Sequence, residues 1–345
     1  MKTLSLKENC YDVVRLLLAA TVVYSHSYAI GGFGRESFAL WTKENIILGT
    51  IGVLGFFGLS GFLVTASFDR TQNIWLYVVK RARRIFPGFW VCLVVTAFAV
   101  APLVWMASGK SVTSFPWTGS ESALNYVTAN FFLKVNQLSI QELLAGQKWQ
   151  ESLNGPLWSL QPEFLCYLFV VAVGLGSALQ SSRWLLAVVT GCALVFHIVR
   201  VIGGPDVYPA IPGAFASRTW GPFVTAFMVG MCVYAWRDSI KFDWKSVAFL
   251  FGFALVCLKL GGFQLVAPVV VTLIVLLGGA LISARLRTDL SYGMYIYSFP
   301  LQVLIGALGW ASGSVWLFMT ASLAASVGAA WLSWTLVEKP CLRRS

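Results

Sequence analysis

Read for hydrophobic and polar positions, the chain is a succession of ten apolar blocks. They centre on residues 11–30, 46–68, 88–107, 156–177, 183–203, 219–236, 244–259, 263–284, 290–309 and 315–337, with polar segments between them. A helix rises about 1.5 Å per residue, so about 20 apolar residues cross a hydrocarbon core roughly 30 Å thick. The pattern predicts an all-α integral membrane protein, a bundle of about ten transmembrane helices forming a single membrane-embedded domain over residues 1–345. Two connections exceed a turn. Asp69 to Phe86 is basic and carries Ile74, Trp75, Tyr77, Val78 and Val79, which predicts an amphipathic helix on the membrane surface. Residues 108–155 form a longer loop in which polar residues mix with Tyr126, Phe131, Phe132, Leu143 and Leu144. The second block carries Gly49, Gly52, Gly55, Gly58 and Gly61, a spacing that serves either close helix packing or a groove for a thin chain.

Composition sharpens this picture. The chain is 58% hydrophobic and 11% charged, against roughly 25% charged in a soluble domain. The net charge of +11 would suit nucleic acid, but the basic residues sit in the short segments between apolar blocks, so a nucleic-acid partner is not expected. With the N-terminus inside, the inner segments hold sixteen Lys/Arg and the outer segments eight, Arg15 lying inside the first span. That bias predicts both termini in the cytoplasm and the 108–155 loop outside. The first block lacks the short core and cleavage spacing of a signal peptide and reads as the first span. The cysteines form no C-x-x-C pair and no Cys/His ligand spacing, so neither disulfides nor a metal site is expected.

Ionisable residues inside spans are costly and face a cavity or a partner. Arg15 and His26 stand eleven residues apart in the first block, which returns them to one helical face about 16 Å apart along the axis. Arg15 otherwise snorkels or pairs with Asp12, and His26 otherwise makes an interhelical hydrogen bond. Glu163 follows Pro162, where a kink is expected, and a carboxylate meeting His26 would orient the ring as a general base. The bland alternative is a protonated Glu163 or one that neutralises an arginine. Arg81 and Arg84, one turn apart before the third block, form a fork suited to phosphates, or else an anchor to anionic lipid. His197, with Arg200 one turn later, reads as a polar pair facing outward.

These segments together resemble the acyltransferase 3 family over nearly the whole length. Arg15 and His26 carry the most specific likeness. Phe56-Phe57-Gly58-Leu59-Ser60-Gly61-Phe62-Leu63-Val64-Thr65 resembles the family's F-F-x-L-S-G-F-L-x-T, and Arg81 to Trp90 its R-x-x-R-I-x-P-x-[FY]-W. Asn154 to Glu163 is similar to N-G-x-L-W-[ST]-L-x-x-E, Ser291 to Tyr295 to S-Y-G-x-Y, and Glu338-Lys339-Pro340 to the closing E-x-P. Many members carry a histidine shortly after S-Y-G-x-Y; here Tyr297-Ser298-Phe299-Pro300 offers none.

The resemblance implies a multi-pass O-acyltransferase of a bacterial cytoplasmic (inner) membrane. It would move an acyl group, expected to be acetyl, from cytosolic acyl-CoA to a hydroxyl of a polysaccharide or lipid-linked glycan. Its expected partners are acyl-CoA, the saccharide acceptor and membrane lipid, with no tightly bound cofactor and no metal. Within that frame His26 and Glu163 are the catalytic candidates, Arg15, Arg81, Arg84, Ser60 and Tyr292 the acyl-CoA contacts, and Asn154 and Trp158 the acceptor contacts. The rival expectation is a transporter or flippase, since buried charges also mark transport pathways; the absence of an inverted repeat counts against it.

Overall fold

The computed structural model of the protein describes residues 3–4, 6, 8–71, 73–175, 183–203, 220–310 and 313–343. The end of the expected 156–177 span, the first residue of the 219–236 span and Arg344 lie outside the described residues. The described residues are mainly helical, with no β-strand among them. The long helices are α1 (Tyr11–Gly31), α2 (Leu48–Thr71), α3 (Ile74–Ala107), α4 (Leu160–Leu175), α5 (Arg183–Gly203), α6 (Gly221–Ala235), α7 (Trp244–Leu260), α8 (Phe263–Leu281), α9 (Ser291–Ala307) and α10 (Val315–Leu342). Seven are long and apolar enough to cross a membrane, α4 together with the turn before it. The others are shorter, α6 with 15 residues and α7 and α9 with 17 each. The chain is a multi-pass membrane protein.

Two local expectations are corrected. The basic stretch 74–86 is not a separate surface helix: it runs on into the third span as one helix of 34 residues. No turn sequence interrupts Ile74 to Pro87, and Pro87 removes only its own hydrogen bond to the Arg83 carbonyl. A π-helical stretch, Thr96–Val100, lies further along α3. Likewise Pro162 is not an interior kink. Residues Gly155–Ser159 form a 3₁₀ turn, Leu160 donates its N–H to the Leu157 carbonyl, and α4 starts there. Pro162 and Glu163 therefore occupy the first turn, where a missing N–H is no loss.

The residues divide into two compact units. The first comprises Met1–Leu18, Phe38–Val78 and Pro162–Arg287. In it α2 packs against α6 and α8 at backbone distance. A Cβ on Gly61 would stand 2.0 Å from the Phe227 carbonyl oxygen, one on Gly230 would stand 2.0 Å from that of Gly58, and one on Gly58 would collide with Thr272. Lipid tails are as apolar as the side chains, so helices in a bilayer associate through such close packing. Gly55, Gly58 and Gly61 of α2 are thus closed by neighbouring helices rather than left as a groove for a chain. Phe62, Tyr234 and Leu276 fill the adjoining core, and Tyr11 donates its hydroxyl to the Leu276 carbonyl at 3.1 Å.

The second unit comprises Ala19–Ser37, Val79–Gln161 and Thr288–Ser345. Here α9 lies along α10, with Gly293 against the Ala330 backbone. The 108–155 connection is a packed structure: Tyr126, Leu143 and Leu144 are buried, and Asn130 bridges Gln137 on both its donor and acceptor sides at 2.9 and 3.0 Å. Lys148 places its Nζ 3.0 Å from the Gly31 carbonyl, a cation where the C-terminal carbonyls of α1 are unsatisfied.

Candidate active site

Pro300 sits inside α9 and has no N–H for the Ile296 carbonyl. A buried carbonyl in that position needs another donor. Asn154 supplies it, with Nδ2 at 2.9 Å, and the Cys92 thiol adds a second contact at 3.3 Å. Gly155 is then pressed against Phe299, where a Cβ would meet the ring at 3.2 Å. Phe299 in turn meets His26 edge-on, ring centroids 4.9 Å apart, and Trp149 from another direction at 5.7 Å. One turn beyond Phe299, Gln302 donates its Nε2 to the Val23 carbonyl and to Ser27 Oγ, both at 2.9 Å, on either side of His26 in the chain. The imidazole is thereby packed against Phe299, and its Nδ1 has no hydrogen-bond partner among the described residues.

Three buried polar atoms around this arrangement have no hydrogen bond among the described residues: His26 Nδ1, Asn154 Oδ1 and Gln302 Oε1. Buried polar groups are otherwise almost always paired, so each unpaired one requires an explanation. A substrate that brings its own donors and acceptors supplies one. A further carboxylate, Glu36, lies buried near the end of α1 and accepts from Ser25 Oγ at 2.5 Å.

The start of α9 builds a second cluster in the same unit. Arg84 forms an ion pair with Asp289, and a longer one with Glu338 at 3.9 Å. Its guanidinium lies over the Tyr292 ring at 5.7 Å, and Tyr292 donates its hydroxyl to the Ile85 carbonyl at 2.7 Å. Gly88 permits this approach, since a Cβ there would fall 2.8 Å from the same ring. Asp289 also accepts from the Ser291 backbone and hydroxyl, at 3.2 and 2.6 Å, and so caps α9. Ser333 donates to Glu338 at 2.9 Å. Residues from three separated motifs thus converge on one guanidinium. From Tyr292 to Phe299 is seven residues, or about 10 Å along α9, which joins this cluster to the His26 ring.

The family profile described as "Acyltransferase domain" matches residues 8–337. The chain belongs to the acyltransferase 3 family. The "O-acetyl transferase" of Shigella phage Sf6 is 29% identical to it, across 98% of this chain and 97% of that protein. "Nodulation protein 10" of Rhizobium leguminosarum bv. viciae is 28% identical, across 97% of this chain and 93% of that protein. No solved structure matches the chain.

In the first unit of this acyltransferase, Glu163 accepts at one carboxylate oxygen from Ser60 at 3.2 Å and from Tyr167 at 2.6 Å. Tyr77 fixes that arrangement by donating to the Tyr167 carbonyl at 3.1 Å. Two sequence candidates, Ser60 and Glu163, are brought together; the His26 ring is bonded to no carboxylate among the described residues. Arg15 lies half-buried in the first turns of α1, Arg81 half-buried on α3, and Trp158 half-buried in the 3₁₀ turn before α4. Ser298 is buried and donates weakly to the Tyr295 carbonyl at 3.4 Å, within its own helix. His197 takes the Gln264 carbonyl that Pro268 frees in α8, at 2.8 Å. Sequence reasoning missed Asp289, Gln302, Phe299, Trp149 and Glu36. Gln302 carried a signal, an amide inside an otherwise apolar helix.

Proposed function

We propose that this acyltransferase transfers an acetyl group from acetyl-CoA, entering from the cytosol, to a hydroxyl of a polysaccharide or lipid-linked glycan on the outer side of a bacterial inner membrane. The observation that carries this reading is the buried Nδ1 of His26, which has no hydrogen bond among the described residues and belongs to a ring packed against Phe299. In the reaction the acceptor oxygen attacks the thioester carbonyl. A C–O bond forms, the C–S bond breaks, and the hydroxyl proton passes to His26 and then to the departing CoA thiolate. The name of the phage relative supports acetyl and oxygen as donor group and acceptor atom.

Arg81 binds the CoA phosphates in this scheme, and Arg15 is a separate candidate contact to the donor within the first unit. The charge of Arg84 is already answered by Asp289 and Glu338, so with Tyr292 it shapes the mouth through which the donor arm passes along α9. Ser60 and Glu163 are candidate donor contacts within the first unit, Glu163 held by its two hydroxyl donors. Asn154 Oδ1 and Trp158 meet the acceptor. The test is direct: the purified protein in lipid is supplied with acetyl-labelled acetyl-CoA and a crude envelope glycan fraction. Label recovered on the glycan is expected; CoA release with no labelled glycan, or no reaction at all, would remove the reading.

A further inference from the structure

The first unit contains a cavity of about 350 Å³, within the range of roughly 300–1,000 Å³ for small-molecule sites. It is enclosed by the start of α2, the last turns of α5, the starts of α6 and α8, and the connection 44–46. Its polar lining is Glu44, Asn45, Thr50, His197, Arg200 and Gln264. None of these serves the acyl-transfer scheme above.

The lining has a definite hydrogen-bonding character. Because the Gln264 carbonyl can only accept, the bond at 2.8 Å places a proton on His197 Nε2; a neutral ring then presents Nδ1 as an acceptor. Asn45 Nδ2 is buried without a partner among the described residues, while the backbone carbonyl of Asn45 is held by the Gln264 amide. Thr50 both donates and accepts. Glu44 and Arg200 contribute one charge of each sign, so the lining favours neither an anion nor a cation. Leu54, Val201 and Pro222 complete an apolar wall.

A lining with both donors and acceptors, balanced charge and an apolar wall is the complement of a sugar ring, whose hydroxyls each donate and accept and whose C–H face is apolar. We propose that this cavity binds an uncharged saccharide unit of the acceptor, which rests on the acceptor reading above. The charge bias places the 44–46 connection on the outer side, where that acceptor would lie.

The test uses the full chain in lipid nanodiscs, without acetyl-CoA, and saturation-transfer NMR. The probes are rhamnose, glucose, galactose and N-acetylglucosamine, with glucuronate and glucosamine as charged controls. Ring C–H signals from at least one neutral sugar are expected with the wild type, and none from the charged controls. Asn45→Asp, nearly isosteric, and Thr50→Phe, which fills the cavity, should each weaken the signal roughly tenfold. No neutral-sugar signal with the wild type, or equal signals in both variants, would overturn the site. A parallel label-transfer assay separates the two ideas. Transfer without sugar signals sinks the cavity assignment alone, whereas variant-sensitive sugar signals without transfer uphold the cavity and sink the acyl-transfer reading.

Discussion

At the scale of single residues, the two arginines of the basic turn have different neighbours and should fail differently. Arg84→Ala removes its ion pairs with Asp289 and Glu338, and a charge-assisted hydrogen bond is worth about 1.5–3 kcal/mol. A lowered unfolding midpoint in lipid is expected; an unchanged one would show that the ion pair does not hold the cluster. Arg81→Ala should weaken acetyl-CoA binding by roughly tenfold to a hundredfold. Unchanged affinity by titration calorimetry would return Arg81 to lipid anchoring. Asn154→Ala removes the amide that replaces the N–H lacking at Pro300, costing about 1–3 kcal/mol, and an unshifted midpoint would contradict that role. Arg15, His26 and Glu163 were legible in the sequence because an ionisable group in an apolar helix is conspicuous. Their surroundings were not. Arg84 and Asp289 lie 205 positions apart, and a pattern of local periodicity carries no information about pairing at that separation.

At the scale of elements, the helices were legible and their junctions less so. Each apolar block became a helix, since a backbone in lipid must satisfy its own polar groups. Pro87 and Pro162 misled in opposite ways. The first suits a helix that loses one bond and continues; the second sits in a first turn because a 3₁₀ stretch delays the start of α4. The packing role of the α2 glycines makes a prediction at this scale. Gly61→Ala forces a methyl into the Phe227 carbonyl at 2.0 Å, where backbone rather than a flexible side chain must yield. Gly191 on α5 meets nothing within 4 Å, so Gly191→Ala should be neutral or gain up to about 1 kcal/mol from helix propensity. Folded yield and unfolding midpoint in lipid distinguish the two variants, and equal behaviour would mean that α2 and α6 are not in backbone contact.

At the scale of the whole molecule, sidedness decides where donor and acceptor meet the protein. In the orientation proposed from the charge bias, the 108–155 segment lies outside and the α2–α3 junction in the cytosol. In an otherwise cysteine-free protein, Ser120→Cys should react with an impermeant thiol reagent in intact cells and Asn73→Cys should not. The opposite labelling would reverse the entry of acetyl-CoA. In the proposed reaction the His26 ring moves the proton. That role is tested by comparing wild type and His26→Ala in the same proteoliposomes, measuring acetyl transfer to glycan under single turnover together with acetyl-CoA affinity and unfolding midpoint. A loss of about 10²–10⁴-fold in transfer is expected, with affinity and midpoint unchanged. Transfer at close to the wild-type rate would contradict it.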